Sequence, residues 1–396
     1  MIFERQDERF SRTGPKKIFK IYAGSTELSP FHECYATSDT VLRFAAGRFF
    51  AHDNGDDHIE AYWALRQQAV LYDVPERPLE ICGPDAVDFL ELVFARRIDN
   101  LKIGRGRYVI ACTNNGGLFI DGILFRLADT RFWFVHPDGD MNTWFLAHSP
   151  GFDVTVTDPQ SRVLQIQGPK SFDVMHVASG GAIDGHFGYF HSGFFSIDGQ
   201  QIYVSRTGWT GELGYEIYTQ GDQTDCPRLW EYLMNAGAAH GLIFSSMQSM
   251  NIRRIEAGIL DSGSDFDTSM TPFEAGLDKF VDFENKRFIG RDALMSACPG
   301  KRLYGLLCRD HTPSSGCAIF DGQTQVGVVT TGAQSPYLKA GVGYARFFQT
   351  GEWLGKILSL RCVDQQEAPC EIIDPPFYDR SKYIPRAVVS IQQSDL

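Results

Sequence analysis

The stretch Ser205-Arg206-Thr207-Gly208-Trp209-Thr210-Gly211-Glu212-Leu213-Gly214-Tyr215-Glu216-Ile217 constrains this chain more than any other. Three glycines, an aromatic ring and two carboxylates follow directly on a strand-like run, Gln201 to Ser205. Glycine lets the backbone approach a ligand closely, the indole offers a stacking face, and a carboxylate accepts paired N–H donors from a flat heterocycle. On composition alone the simpler reading is an ordinary turn over a buried tryptophan.

The surrounding pattern divides the chain. Its 396 residues exceed the usual size of one hydrophobic core, and 43% apolar with 22% charged residues is an ordinary globular balance. Between about Glu60 and Val156, helical spacing at Ala61 to Ala69 and Asp85 to Val93 alternates with strand-like Tyr108 to Thr113, Ile123 to Leu127 and Phe132 to Val135. Asn114-Asn115-Gly116-Gly117 joins two of these strands as a hairpin, because asparagine and glycine tolerate positive φ. A second α+β unit runs from about Arg162 to Leu242, with strands at Val163 to Gln167 and Gln201 to Ser205 and helices at Ser171 to Val177 and Arg228 to Ala236. After Pro299-Gly300 the chain turns to short glycine-punctuated strands, Leu303 to Cys308, Gln325 to Thr331 and Lys356 to Val363, an all-β module. The boundary falls near residue 298.

A formal net charge of −12 disfavours nonspecific nucleic-acid binding, so an anionic ligand needs a local basic patch. Arg253, Arg254, Lys286, Arg287 and Arg291 are the candidates, with a solvated charged face as the alternative. Apolar runs such as Leu242 to Phe244 are far shorter than the roughly 18 residues of a membrane helix. Met1 to Lys17 has no apolar signal core and reads as a surface extension, which points to a cytoplasmic protein. Nine cysteines without a C-x-x-C pair suit reduced thiols better than a disulfide framework, and neither they nor the ten histidines show the spacing of a metal site.

The stretch at 205–217 resembles the R-T-G-Y-T-G-E-x-G-Y-E signature of the aminomethyltransferase (glycine-cleavage T-protein) superfamily, with Trp209 in place of the tyrosine. Gln167-Gly168-Pro169-Lys170, Arg254-Ile255-Glu256-Ala257-Gly258, Phe288 to Leu294, and Val326 to Ala345 resemble further family segments in collinear order, together covering about 60–350. The resemblance implies an α+β, three-domain trefoil: a folate-binding body over 1–298, built from units 60–156 and 1–59 with 157–298, and a C-terminal β-barrel over 299–396. It also implies tetrahydrofolate as cofactor. Glu216 falls where the family holds the pterin ring, with Trp209, Tyr108 and Arg254 beside it as candidate cofactor-binding residues.

The turn departs from the family. Glycine-cleavage enzymes read G-G-V-I-D-D, the first aspartate serving aminomethyl chemistry, whereas Gly116-Gly117 is followed by Leu118-Phe119-Ile120-Asp121. Ungapped counting puts Ile120 at the catalytic position and a one-residue shift puts Asp121 there; Asp121 and Tyr108 are the catalytic candidates. Without a positioned acid, C–N cleavage lacks a group to manage protons. The chain resembles dimethylsulfoniopropionate demethylases at Arg253-Arg254-Ile255-Glu256, Arg131-Phe132-Trp133 followed by Asp138-x-Asp140, Ser29-Pro30-Phe31, and Thr271-Pro272-Phe273-Glu274-x-Gly276-Leu277. A sulfonium is already an activated leaving group, so its methyl could pass to N5 of tetrahydrofolate by positioning alone. That is the leading functional expectation: a demethylase acting on a small cationic methyl donor.

For such a cation an aromatic wall is expected, with Trp63 and Phe49 as substrate-binding candidates and Arg48 as partner of a substrate carboxylate; core packing and an exposed arginine are the plain alternatives. Asp261 and Ser262 lie where selectivity could be set. Competing readings are an O-demethylase of methoxylated aromatic acids, with Tyr108, Tyr215 or His136 as proton donor, an aminomethyltransferase, and a folate-binding assembly factor without turnover. Beyond folate and the methyl donor, no nucleic-acid or membrane partner is expected.

Overall fold

The computed structural model describes residues 28–136, 139–362 and 367–389; Met1 to Lys17 and Asp138 lie outside them. Three strand assemblies organise the chain. The first is a five-stranded antiparallel sheet in the order Arg105–Cys112, Leu118–Ala128, Arg131–His136, Arg77–Cys82, Thr155–Thr157. The second has six strands in the order Ser192–Ile197, Gln200–Ser205, Gly214–Tyr218, Val163–Gln167, Ala69–Val74, Leu242–Phe244, with only the last pair parallel. The third is a closed barrel of Leu303–Cys308, Ala340–Phe347, Thr324–Ser335, Ala318–Asp321, Ile357–Arg361 and Glu367–Ile373.

The expected T-protein architecture of α+β body and C-terminal barrel is therefore present. Strand Ala69–Val74, for which the sequence offered no strand reading, pairs with Val163–Gln167 in the second sheet although it falls within residues 60–156. Its six residues are all buried, so it carries no alternation to reveal which sheet owns it.

Each sheet is covered on one face by helices. Ala86, Phe89, Leu90 and Val93 form the buried stripe of helix Ala86–Val93, packed with Leu79, Val109, Ala111, Ile120, Leu124 and Phe134 of the first sheet. Helices Ser171–Ala178 and Cys226–Gly237 cover Leu164, Ile166, Val204, Tyr215 and Ile217 of the second. Because side chains alternate along a strand, the other faces carry Phe125, Trp133 and Val135 from the first sheet and Val70, Tyr72, Tyr203 and Tyr218 from the second, which meet in one cluster. Trp133 and Tyr203 pack with ring centres 5.2 Å apart. The inner faces of the two sheets are thus turned toward each other.

Helix Met247–Glu256 joins this body to the barrel. It is buried from Ile252 to Glu256 on every side, which demands partners for its charges. Glu256, 0% exposed, accepts from the hydroxyls of Tyr62 (2.9 and 3.0 Å), Ser335 (2.6 Å) and Tyr378 (2.8 Å), which come from the body, the barrel and the C-terminal segment.

The expectation of reduced thiols is corrected by a disulfide between Cys317 and Cys362, whose Cα atoms lie 4.3 Å apart although 45 residues separate them in sequence. Closure of the barrel brings these positions together, which spacing along the chain cannot show. No helix among the described residues is long and apolar enough to cross a membrane.

Candidate functional site

Glu216 stands on strand Gly214–Tyr218, paired with Gln165 on one side and Ser205 on the other. It alternates with Tyr215 and Ile217 of the helix-covered core, so its carboxylate turns to the inner face. There it accepts from Tyr218 Oη at 2.7 Å, Gln165 Nε2 at 3.0 Å and Ser205 Oγ at 3.3 Å, and from the Thr207 hydroxyl. Burial raises its pKa against these hydroxyl donors. Glu76 approaches the same amide: Gln165 Nε2 donates to its Oε1 at 3.0 Å, while its Oε2 is buried without a hydrogen-bond partner. Burial first, and then the Glu216 charge, pushes Glu76 up to about 8. Neither Glu76 nor Gln165 was singled out from the sequence; the inner-face alternation of Val163–Gln167 is the signal that marks Gln165, whereas Glu76 sits in an inter-strand Pro-Glu-Arg step indistinguishable from a surface turn.

The glycines of the signature stretch serve packing. A Cβ on Gly208 or Gly214 would fall 2.1 or 2.3 Å from Gln167 Oε1, and one on Gly211 (φ +69°) 2.6 Å from Ala257 Cβ. Gln167 runs beneath the loop, donating to Thr207 O at 3.2 Å and accepting from Thr210 Oγ1 at 2.8 Å. The loop is held so that Trp209 N donates to Gln165 Oε1 at 3.3 Å. Arg254 lies over the Trp209 ring at 5.2 Å and over Tyr344 at 5.7 Å, and its guanidinium donates to Asp265, Asn251 and Ile259 O. Arg254 is therefore a support behind Trp209, 1% exposed and committed to an internal ion pair.

Facing this strip across the inner space is the hairpin of the first sheet. Its turn closes through Thr113 N to Gly117 O at 2.8 Å, with Gly116 at φ +80°. Beyond it the register jumps: Cys112 pairs with Leu118 and Ala111 with Ile120, leaving Phe119 as a β-bulge. Ile120 consequently points into the helix-covered core and Asp121 to the inner face, where Tyr108 Oη donates to Asp121 Oδ2 at 2.8 Å. Of the two alignments, it is the shifted one that puts an inner-face residue at the turn, since ungapped counting has no place for the bulge residue. Burial raises Asp121 to about 6, with the Asp261 charge adding to it and the Tyr108 hydrogen bond opposing it. The Tyr108 ring lies 4.4 Å from that of Phe280.

Other expected residues lie elsewhere. Arg48, 5% exposed, donates to Glu76 O and Ser161 O at 2.7 Å each, so it ties the hairpin Val41–Asp53 to the body, and neither exposure nor a substrate carboxylate describes it. Phe49 packs edge-on against Phe44 in that same hairpin, and Trp63 edge-on against Tyr62. His136 stacks on Phe134 and Tyr215 sits in the helix-covered core, both on faces opposite the inner space. The expected basic patch does not form. Arg253 pairs with Glu212 and Arg254 with Asp265 inside the protein, while Arg287 and Arg291 meet Asp88 and Asp292.

The inner strip fits a flat, N–H-rich heterocycle: a buried carboxylate at Glu216 and a half-buried one at Glu76, whose Oε2 is buried without a hydrogen-bond partner, beside an indole held from behind. Residues 32–285 match the GCVT N-terminal domain and residues 301–379 the glycine cleavage T-protein C-terminal barrel domain. An aminomethyltransferase of Streptomyces avermitilis is 30% identical over 362 residues, spanning 88% of this chain and 94% of that protein. A trimethylamine-oxide aldolase of Ruegeria pomeroyi is 31% identical over 349 residues, 83% of this chain but 44% of that protein. The crystal structure of glycine cleavage system aminomethyltransferase T from Bartonella henselae shares the fold, with TM-score 0.80 over 90% of this chain and 99% of that one at 24% identity. The chain belongs to the folate-dependent aminomethyltransferase family, whose members use tetrahydrofolate.

Proposed function

We propose that this protein transfers a one-carbon group from a small cationic N-methyl or aminomethyl amine to tetrahydrofolate, with Asp121 managing the proton. The observation that carries this reading is the Phe119 bulge, which turns Asp121 rather than Ile120 toward Tyr108. Glu216 and Glu76 would hold the pterin ring, with Trp209 against it, and the bound folate supplies a nucleophilic nitrogen. Asp121 and the nearby Asp261 favour a cationic donor, and Tyr108 and Phe280 add ring faces. An Asp121 carboxyl poised near pH 6 can take up the proton shed at the accepting nitrogen and return it to the departing amine. Tyr108 fixes the carboxyl through Oδ2.

A sulfonium methyl donor is the second reading, supported by the same carboxylates and rings. The motifs that suggested it have structural work: Phe31 packs against Trp230, and Thr271 with Glu274 forms a reciprocal capping box, Thr271 N to Glu274 Oε2 at 2.8 Å and Glu274 N to Thr271 Oγ1 at 3.2 Å. They bear on the fold rather than on the donor. Mass spectrometry of the folate product after incubation with tetrahydrofolate and panels of aminomethyl donors, methylated ammonium compounds, sulfonium compounds and methoxybenzoates decides between them. Methylenetetrahydrofolate formed from an aminomethyl donor, or methyltetrahydrofolate formed from a methylated ammonium, supports the first reading; methyltetrahydrofolate formed only from a sulfonium would replace it with the second.

A further inference from the structure

Gln165 Nε2 serves two carboxyls at once, Glu76 Oε1 and Glu216 Oε1, each at 3.0 Å. The amide is oriented from its other end, where Oε1 accepts from Trp209 N at 3.3 Å. Two acids thus converge on one side chain, and the donors around them are shared unequally. Glu216 also accepts from Tyr218 Oη at 2.7 Å, Ser205 Oγ at 3.3 Å and the Thr207 hydroxyl. Glu76 Oε2 is buried and has no described group within hydrogen-bond reach. Neighbouring carboxyls resist carrying two charges, and the one with more donors stays ionised. Among the charges that face Glu76, those of Glu216 and Asp73 raise its pKa and that of Arg48, which also donates to the Glu76 carbonyl at 2.7 Å, lowers it; burial outweighs them all and sets it at about 8. The adjoining Arg77 is paired with Asp158.

We propose that Glu76 meets the folate ring as a neutral acid, its Oε2–H donating to the ring carbonyl while the ionised Glu216 accepts the neighbouring N–H groups. This rests on tetrahydrofolate binding at Glu216. The edge of a reduced pterin presents in order an amino N–H, a ring N–H and a carbonyl oxygen, so it asks for acceptors followed by a donor. A carboxylate beside a carboxylic acid is that set, whereas two carboxylates would hold a charged oxygen against the carbonyl oxygen. The proton also gives the unpartnered Oε2 its only hydrogen bond, through the ligand. Binding and protonation are then linked: the complex keeps a proton that the free protein sheds as pH rises through about 8, so affinity is full below that pH and falls above it.

The test is calorimetric titration of the full chain with formyltetrahydrofolate across neutral and mildly alkaline pH, each point in two buffers of different ionisation enthalpy, which reports the protons taken up on binding. One group titrating near 8 predicts affinity about tenfold weaker at about pH 9 than at about pH 7, with uptake approaching one proton per ligand at the alkaline end. In Glu76→Gln, whose amide keeps a donor and cannot titrate, binding should persist without the pH dependence and without the uptake. Affinity independent of pH with no proton uptake in the unaltered protein overturns the proposal while leaving folate binding intact, and this arm stands whatever a substitution does to folding. Uptake that survives in Glu76→Gln overturns it as well, since the proton then belongs to another group. Absence of binding at every pH would sink the folate reading and this inference with it.

Discussion

Deletion of Phe119 separates the two ways of aligning the catalytic strand. In the native hairpin Phe119 is the residue its partner strand skips, since Cys112 pairs with Leu118 and Ala111 with Ile120. Removing it joins Leu118 to Ile120 with both pairs intact and keeps Asp121 beside Tyr108. The competing outcome is a one-residue slip, which would send Asp121 into the layer of Val109, Ala111 and Leu124 and turn Ile123 and Phe125 over with it. Burying an unpaired carboxylate there costs several kcal/mol, so the regular pairing wins. What the deletion forfeits is a half-buried ring stacked on Trp144 at 4.4 Å and 30°. Partial burial plus the stack are worth about 1–2 kcal/mol, or a fall of roughly 1–3 °C in the unfolding midpoint. Turnover of the deletion variant, measured with the donor that gives product, should stay within about threefold of the parent, whereas Asp121→Asn should lose about 10²–10⁴. A deletion variant that folds yet loses as much as Asp121→Asn would refute the claim that the bulge merely absorbs one residue.

Glu216→Ala should weaken tetrahydrofolate binding at least about tenfold, because hydrogen bonds to a buried charge contribute about 1.5–3 kcal/mol each, while Asp121→Ala leaves folate affinity largely intact; titration of both variants checks the pair. Activity should climb as pH rises through about 6, the value to which burial lifts Asp121, and that limb should vanish in Asp121→Asn. For stability the sign is opposite: a carboxyl raised above its unfolded value of about 3.9 favours the native state fully below that pH and loses this contribution as pH rises through about 6. Reducing Cys317–Cys362, which closes a loop of 45 residues, should destabilise the barrel by about 3–4 kcal/mol, seen as a lower urea midpoint in dithiothreitol.

The body was legible where one face of an element is wet or lined by a single core. Helix Ala86–Val93 and strands Leu303–Cys308 and Val163–Gln167 announced themselves by period and by flanking turns, and the glycine-rich turn at 114–117 gave the hairpin. Glu216 was singled out because its motif is long, and the strand turns its carboxylate to the inner face. Asp121 was named, yet its orientation depends on a bulge, and a bulge is settled by which pairing buries the better set of side chains across the whole sheet. Arg48 was misread for a related reason: from sequence an arginine in a hairpin is a surface residue, and only the fold shows the carbonyls of Glu76 and Ser161 waiting for it. The basic run at 253–254 misled because a helix buried all round must carry its charges inward, where Glu212 and Asp265 already meet them.

That buried helix also explains why a barrel containing none of the candidate reacting groups should matter to the site. Thr330 and Thr331, on the barrel, donate to Asp265 Oδ1 at 2.7 and 2.6 Å; Asp265 holds Arg254 through Oδ2; and Arg254 backs Trp209, whose own N–H is tied to the amide of Gln165 that bridges Glu76 and Glu216. Every member from Asp265 to Gln165 is buried or half-buried, so none can relax into water at little cost. Asp265→Asn would leave Arg254 as an uncompensated buried charge, worth about 3–5 kcal/mol, and much of that strain would be relieved by moving the guanidinium away from the indole. The variant should therefore lose folate affinity in parallel with a shift in tryptophan fluorescence, although residue 265 carries no expected contact with the ligand. Lost stability with unchanged folate affinity and unchanged fluorescence would show instead that the barrel only braces the body.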